Sequence, residues 1–174
     1  HNNTTQGLAQ NYSRLELEQG RADTDQRHVF SLSGHIEPEL YWGDNGILKA
    51  VINGWSVSPI LRIRSGRPFT VTNGNVDANL DGVATDRARL IGDPHLDNPS
   101  PDMWFNIFAF AQNPIVTGVA TEGTAARNLL TGPGYKAVDL ALSRDFRFGE
   151  RLKLRVRAEG TNILNMVNYD MPNS

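Results

Sequence analysis

The densest chemistry in the chain lies in Asp77-Ala78-Asn79-Leu80-Asp81-Gly82-Val83-Ala84-Thr85-Asp86. Oxygen ligands at alternate positions, followed by a glycine that lets the backbone turn, suit a hard cation such as calcium. In that reading Asp77, Asn79 and Asp81 bind through side chains, Val83 through its carbonyl, and Asp86 as the closing carboxylate. The pattern departs from an EF-hand, whose loop closes on Glu at its twelfth position, here Ala88, between two helices that this sequence does not suggest. A second reading, an acidic turn held by Asx hydrogen bonds, fits the same residues.

Other reactive groups are sparse. His1, His28, His35 and His95 show no metal-ligand spacing, and there is no cysteine to supply a thiolate or a disulfide framework. Neither a nucleophile elbow nor a zinc-protease helix motif occurs, and no glycine loop has the spacing that cradles phosphate. Glu37 and Glu39 flank Pro38 at the end of an expected strand, where solvated loop charges are the simple account. Asn3-Thr4-Thr5 and Asn11-Tyr12-Ser13 match glycosylation acceptors, a triplet common in any polar loop. With 17 Lys+Arg against 19 Asp+Glu, no charge bias points to nucleic acid. Nothing in this inventory argues for an enzyme.

Alternation dominates the rest. In 137–163, Val138, Leu140, Leu142, Phe146 and Phe148 share one parity, with Asp139, Ala141, Ser143, Asp145 and Arg147 on the other. After Gly149-Glu150, Leu152, Leu154, Val156 and Ala158 alternate with Lys153, Arg155, Arg157 and Glu159. Period two over this length predicts two strands, each with one apolar and one charged face. Parity selects an odd loop, 149–151, which pairs Phe148 with Leu152 and sets Asp145 opposite Arg155.

Two further strands are expected upstream. One runs over 27–36, where Phe30, Leu32, Gly34 and Ile36 alternate with Val29, Ser31, Ser33 and His35. The other runs from 48 to 69, with Trp55, Val57, Leu61 and Ile63 opposite Ser56, Ser58, Arg62 and Arg64. Pro59 predicts a bulge or an edge position there. Residues 1–26 read as a polar loop or linker. Residues 73–136 read as one long loop, which in a compact domain is usually functional. No apolar run approaches the ~20 residues of a membrane helix, which leaves a membrane barrel open, since its strands carry apolar residues only at every second position.

Several stretches taken in order resemble one family. They are Asp25-Gln26-Arg27-His28, Asn53-Gly54-Trp55, Ser65-Gly66-Arg67-Pro68-Phe69, Asp81-Gly82 with Asp86-Arg87, and Trp104-Phe105-Asn106 with Phe108-Ala109-Phe110. Arg127-Asn128 with Gly132-Pro133-Gly134 follows, then Arg157-Ala158-Glu159 with Asn162-Ile163-Leu164-Asn165. From about Asp25 to the end, the chain is similar to the C-terminal part of the β-barrel of TonB-dependent outer-membrane receptors of the Oar-like kind.

The resemblance implies an all-β fold: a partial antiparallel transmembrane β-barrel, about five or six strands of a larger one of some 22 strands, with one long extracellular loop at 73–136. It places the chain in the bacterial outer membrane, with lipid, TonB and a plug domain of the parent protein as partners, in energy-coupled uptake of an unidentified large solute. It makes 149–151 a periplasmic turn, and Trp55, Tyr135, Phe146 and Phe148 members of the aromatic girdles. Arg144, on the lipid-facing parity, is expected to snorkel toward head groups. The chain begins at His1 without a signal peptide, so residues 1–174 are expected to be an internal piece of a single barrel domain. The alternative is a soluble calcium-binding β-sandwich for adhesion or glycan binding, which would bury Leu152, Leu154 and Val156 against a second sheet.

Overall fold

The computed structural model describes residues 9–82, 84, 86–148 and 151–173. They form two compact units. One consists of His28–Ser65 with Gly134–Asn168; the other joins the N-terminal segment up to Arg27, the insertion Gly66–Pro133 and the end of the chain from Tyr169.

The first unit is a four-stranded antiparallel sheet. Its strands are β1 (Val29–Ser33), β2 (Trp55–Arg64), β7 (Tyr135–Phe148) and β8 (Leu152–Gly160), in the order β1-β2-β7-β8. The short strands β3 (Pro68–Phe69), β4 (Arg89–Leu90), β5 (Phe110–Ala111) and β6 (Leu130–Thr131) belong to the other unit. The pairing of β7 with β8 sets Phe146 opposite Leu154, Asp145 opposite Arg155 and Phe148 opposite Leu152, the register of an odd loop. Gly149 and Glu150 lie outside the described residues. β7, at 14 residues, is roughly 46 Å long at about 3.3 Å per residue, more than a membrane strand requires.

Pro59 lies in an inner strand, paired with Leu140 on one side, so the expectation of an edge or a bulge is corrected. The register with β1 continues through it to the bridge between Ile36 and Val57. Its carbonyl accepts from the Gly34 N–H at 3.1 Å, but proline has no N–H to return the bond. β1 therefore ends at Ser33, one residue before the missing donor.

The expected strand from 48 to 69 is also shorter at both ends. Residues Gly46–Ile52 form a helix, α1, whose N-cap Asn45 accepts from the N–H groups of Ile47 and Leu48. At the other end, β3 (Pro68–Phe69) pairs with β6 (Leu130–Thr131) inside the second unit, so the sheet is made by the four strands that the alternation picked out.

The second unit holds irregular backbone around a small apolar core. Phe69, Val71, Ala88, Phe105 and Leu130 are buried, with Trp104, Phe110 and Leu129 packed against them. β4 (Arg89–Leu90) pairs with β5 (Phe110–Ala111) beside this core. A Cβ on Gly66 would stand 1.7 Å from the Gly132 carbonyl oxygen, and one on Gly123 1.8 Å from that of Arg87. These backbones approach so closely that only glycine fits.

Candidate functional site

The sheet presents two faces of opposite character. On one, Phe30, Leu32, Leu61, Ile63, Val138, Leu140, Leu142, Phe146, Leu154 and Val156 fall together through the observed registers. Leu152, Leu154 and Val156 are 61%, 50% and 46% exposed, and among the described residues no second sheet covers them. The sandwich alternative needs that cover. Tyr135 pairs with Arg64 on the opposite, polar parity, which corrects its place in an aromatic girdle on the apolar face. Trp55 and Phe146 are on the apolar face, and the side chain of Phe148 lies outside the described residues.

Arg144 resolves its own misfit locally. Its guanidinium donates to the carbonyls of Ala50 and Val51 at the end of α1 and lies over the rings of Trp55 (5.4 Å) and Phe146 (4.7 Å). Helix-terminal carbonyls and ring faces both favour a cation.

The polar face carries Arg62, Arg64, Arg147, Lys153, Arg155 and Arg157 with Asp139, Asp145 and Glu159. Each carboxylate is paired: Asp139 with Arg62, Asp145 with Lys153 at 2.8 Å and Arg155 in a two-point contact, and Glu159 with Arg157. The Asn162 N–H donates to Asp139 at 2.9 Å, which ties the turn after β8 back to the sheet. His35 meets Ser58 at 3.0 Å and Glu37 at 3.3 Å, and Glu37 accepts from the Ser56 hydroxyl. Small side chains, Ser56, Ser58, Ala141 and Ser143, floor a polar trough of about 400 Å³ between His35 and Glu37 on one side and Arg155 and Arg157 on the other. Its lining is mostly polar.

A face-specific prediction follows from this asymmetry. Leu142→Arg, at the middle of β7 on the apolar face, is expected to cost about 2–4 kcal/mol of barrel stability in a bilayer. Ser143→Arg, one residue away on the polar face, is expected to be nearly neutral. Urea titrations of both variants in phospholipid vesicles measure the difference.

In the second unit a buried ionic cluster ties the N-terminal segment to the insertion. Glu18, in the 3₁₀ turn Leu15–Glu18, accepts from Arg87 at 2.9 Å, from Arg127 at 3.2 Å and from the Gln10 N–H at 2.9 Å. Arg87 also donates to the Leu17 carbonyl, and Asn128, at φ 54°, donates to Asp23 and to the Arg21 carbonyl. The residues read as linker thus supply the acceptors for cations of the insertion. Polar composition without periodicity gives no signal for this, and Arg87 and Arg127-Asn128 stand out in the sequence only as separate motifs.

The five residues of the candidate calcium loop are placed as follows. Asp77 accepts from the N–H groups of Asp81 (3.1 Å) and Gly82 (2.9 Å), and Asn79 accepts from Asp81 N–H at 3.1 Å. One oxygen of buried Asp86 accepts from the N–H groups of Ala78 (2.6 Å) and Asn79 (3.0 Å). Val83 lies outside the described residues. The side chains of Asp77, Asn79 and Asp86 are thus engaged by the backbone of the same turn, while Asp81 meets the Asn79 amide at 3.3 Å. Among the described residues no three His, Asp or Glu side chains are grouped to hold a metal.

Burial pushes the Asp86 carboxyl above its usual range, with the charges of Asp81 and Asp77 adding to that and the two N–H donors opposing it. An acid whose folded value is raised favours the folded state at low pH and loses that contribution as pH rises from the ordinary value near 3.8 through the raised one. Asp86→Asn is therefore expected to flatten the pH dependence of this unit's stability above that value, measured by urea titration across pH. Asp93 and Glu16, lowered by N–H donation from His95 and from its own backbone respectively, act in the opposite sense, so the variant is compared with the parent at each pH. Beyond this turn, Pro94, Leu96, Pro99, Trp104 and Leu129 line an apolar cleft of about 200 Å³, with His95 among its lining residues.

The family model of the outer membrane beta barrel domain matches residues 1–174. No curated protein and no solved structure matches the chain. A sheet with one exposed apolar face and one ion-paired face is what such a domain contributes, and no helix among the described residues is long and apolar enough to cross a membrane. The chain belongs to the outer membrane β-barrel domain family, and its place is the bacterial outer membrane.

Proposed function

We propose that the chain is part of a TonB-dependent receptor of the Oar-like kind, taking up a large solute across the outer membrane with energy delivered through TonB. The observation that carries this reading is the folded unit inserted between β2 and β7. Its backbone is ordered by the motifs through which the sequence resembles those receptors: Gly66 against Gly132, Arg87 with Arg127 on Glu18, and Phe105 in the core. An insertion with its own core suits ligand capture outside the cell, whereas a bare pore needs only short or lumen-folded loops. In this reading the apolar face meets lipid, the polar face lines the lumen beside the plug, and the apolar cleft at Trp104 is a surface for solute. No enzymatic step is proposed.

The test compares cells lacking this protein with cells lacking TonB across a panel of ferric siderophores, oligosaccharides and peptides. The same solutes are expected to stop accumulating in both, and in parent cells treated with a protonophore. Uptake that depends on this protein but persists without TonB or a proton-motive force sinks the reading.

Calcium binding by Asp77, Asn79, Asp81, Val83 and Asp86 is kept as a separate proposal. The density of oxygen ligands supports it, and the internal hydrogen bonds of the turn stand against it. Calcium is expected to protect 73–90 from protease; equal cleavage with and without calcium would remove the metal from the account.

A further inference from the structure

Helix α1 leaves most of its apolar arc uncovered among the described residues, although its composition demands cover. A seven-residue helix is too short to persist on its own backbone bonds. Asn45 closes its start, and the Asn53 N–H donates to the Lys49 carbonyl at its end. Gly54, at φ 81°, then turns the chain into β2. At about 100° per residue, Ile47, Leu48, Val51 and Ile52 share one arc of the helix and Lys49 falls outside it. Yet Ile47 is 77% exposed, and Trp42, just before the helix, 80%.

What covers that arc is indicated by the clamp at the helix end. The Val51 carbonyl accepts from Arg144 at 2.5 Å and from the Trp55 indole N–H at 3.2 Å, and the Ala50 carbonyl also accepts from Arg144. Trp55 and Arg144 face each other across β2 and β7 on the apolar parity. The end of α1 is therefore fastened on the side of the sheet that meets lipid, and the exposed arc continues that surface. Fastening also explains how a cation is tolerated there: the helix-end carbonyls and two rings take up the charge of Arg144. Along the strands, Trp55 lies at the same end as the Phe148–Leu152 pair, where β7 passes to β8 within a few residues, and outer-membrane barrels place such short connections on the periplasmic side.

We propose that α1, with Trp42, is an interfacial amphipathic helix lying in the headgroup layer of the periplasmic phospholipid leaflet, anchored to the barrel by Arg144 and Trp55. Its occupant is the phospholipid interface, where an apolar arc and an indole both gain. The inference rests on the assignment of the sheet's apolar face to lipid, and its test separates the two.

The chain has no cysteine, so nitroxide labels enter at single introduced cysteines: Ile47→Cys, Val51→Cys, Lys49→Cys and, as the sheet control, Leu154→Cys. The intact protein is reconstituted in phosphatidylethanolamine–phosphatidylglycerol vesicles, and label accessibility to oxygen and to a water-soluble nickel chelate is read by electron paramagnetic resonance. The ratio of oxygen to nickel accessibility is expected to be severalfold higher at 47 and 51 than at 49, and high at 154. Labels at 47 and 51 open to nickel, or closed to both reagents beneath protein, overturn the helix proposal while 154 remains lipid-exposed. A nickel-accessible label at 154 overturns the lipid assignment of the sheet, and the helix proposal with it. Trp42→Phe gives a second readout without labels: brominated lipids are expected to quench less of the tryptophan emission in that variant than in the parent, and unchanged quenching counts against the proposal.

Discussion

Replacing Glu18 by alanine is expected to destabilise the inserted unit by about 3–5 kcal/mol, the cost of leaving a buried charge without its partner. Glu18 and Arg87 are nearly enclosed, with side-chain exposures of 14% and 6%, and Arg127 is only slightly more open at 19%. Deleting the carboxylate takes the ion-pair partner from Arg87, which is almost without access to water and keeps its bond to the Leu17 carbonyl, and removes one of the carboxylates of Arg127, which keeps Asp23 at 3.8 Å. The Gln10 N–H loses its acceptor as well. An exposed ion pair of the same length would be worth under about 1 kcal/mol, so the size of the effect tests the burial itself.

Hydrogen exchange at the amides of Ala88 and Ala125, which bond to Val71 and Ala88 across the unit, reads the loss. Protection is expected to fall by roughly two to four orders of magnitude, since each 1.4 kcal/mol is about tenfold. Glu18→Gln keeps an acceptor but not the charge, and is expected to fall between parent and alanine. The double variant Glu18→Leu with Arg87→Leu is expected to cost less than the two single losses summed, because each alone leaves the other's charge uncompensated. Raising salt should change little, as the pairs are shielded from mobile ions.

This cluster also marks where sequence reasoning ends. The sheet was legible because its signal is local: alternation fixes which residues share a face, and one parity argument fixed the β7–β8 register down to Asp145 opposite Arg155. Trp55, Val57, Leu61 and Ile63 likewise fell on the apolar face as their spacing indicated. Helix α1 was missed because Ile47, Leu48, Val51 and Ile52 also suit a strand, and Asn45 was the sole cue to a helix start. Pro59 was misplaced because the rule that moves proline to edges concerns the missing donor, and here that gap falls at Gly34, where β1 ends. The inserted unit was least legible. Its contacts join residues such as Gln10 and Arg87, or Arg21 and Asn128, far apart in sequence, and no periodicity records such pairings. The glycine and arginine motifs there were visible as motifs, but their work, letting backbones touch and neutralising Glu18, becomes evident only when the partners are brought together.

The second large effect is expected at Phe105. Its ring is buried between Phe69, at 5.7 Å and a 60° tilt, and Phe110, at 5.7 Å and edge-on. Both geometries are favourable for aromatic pairs. Phe105→Ala removes a ring from a core whose fully buried apolar members are few, so neighbours cannot refill the space cheaply. A loss of about 3–5 kcal/mol is expected, again read as faster exchange at Ala88 and Ala125. Phe105→Leu retains much of the volume and is expected to lose less. The decisive comparison is with the sheet: amides of β2 and β7, in the other compact unit, are expected to keep their protection in Phe105→Ala. Loss of protection in both units together would mean that the insertion and the sheet unfold as one cooperative body. Selective loss would show that the barrel can carry a destabilised insertion, which allows solute uptake and barrel assembly to be measured separately in the same variant.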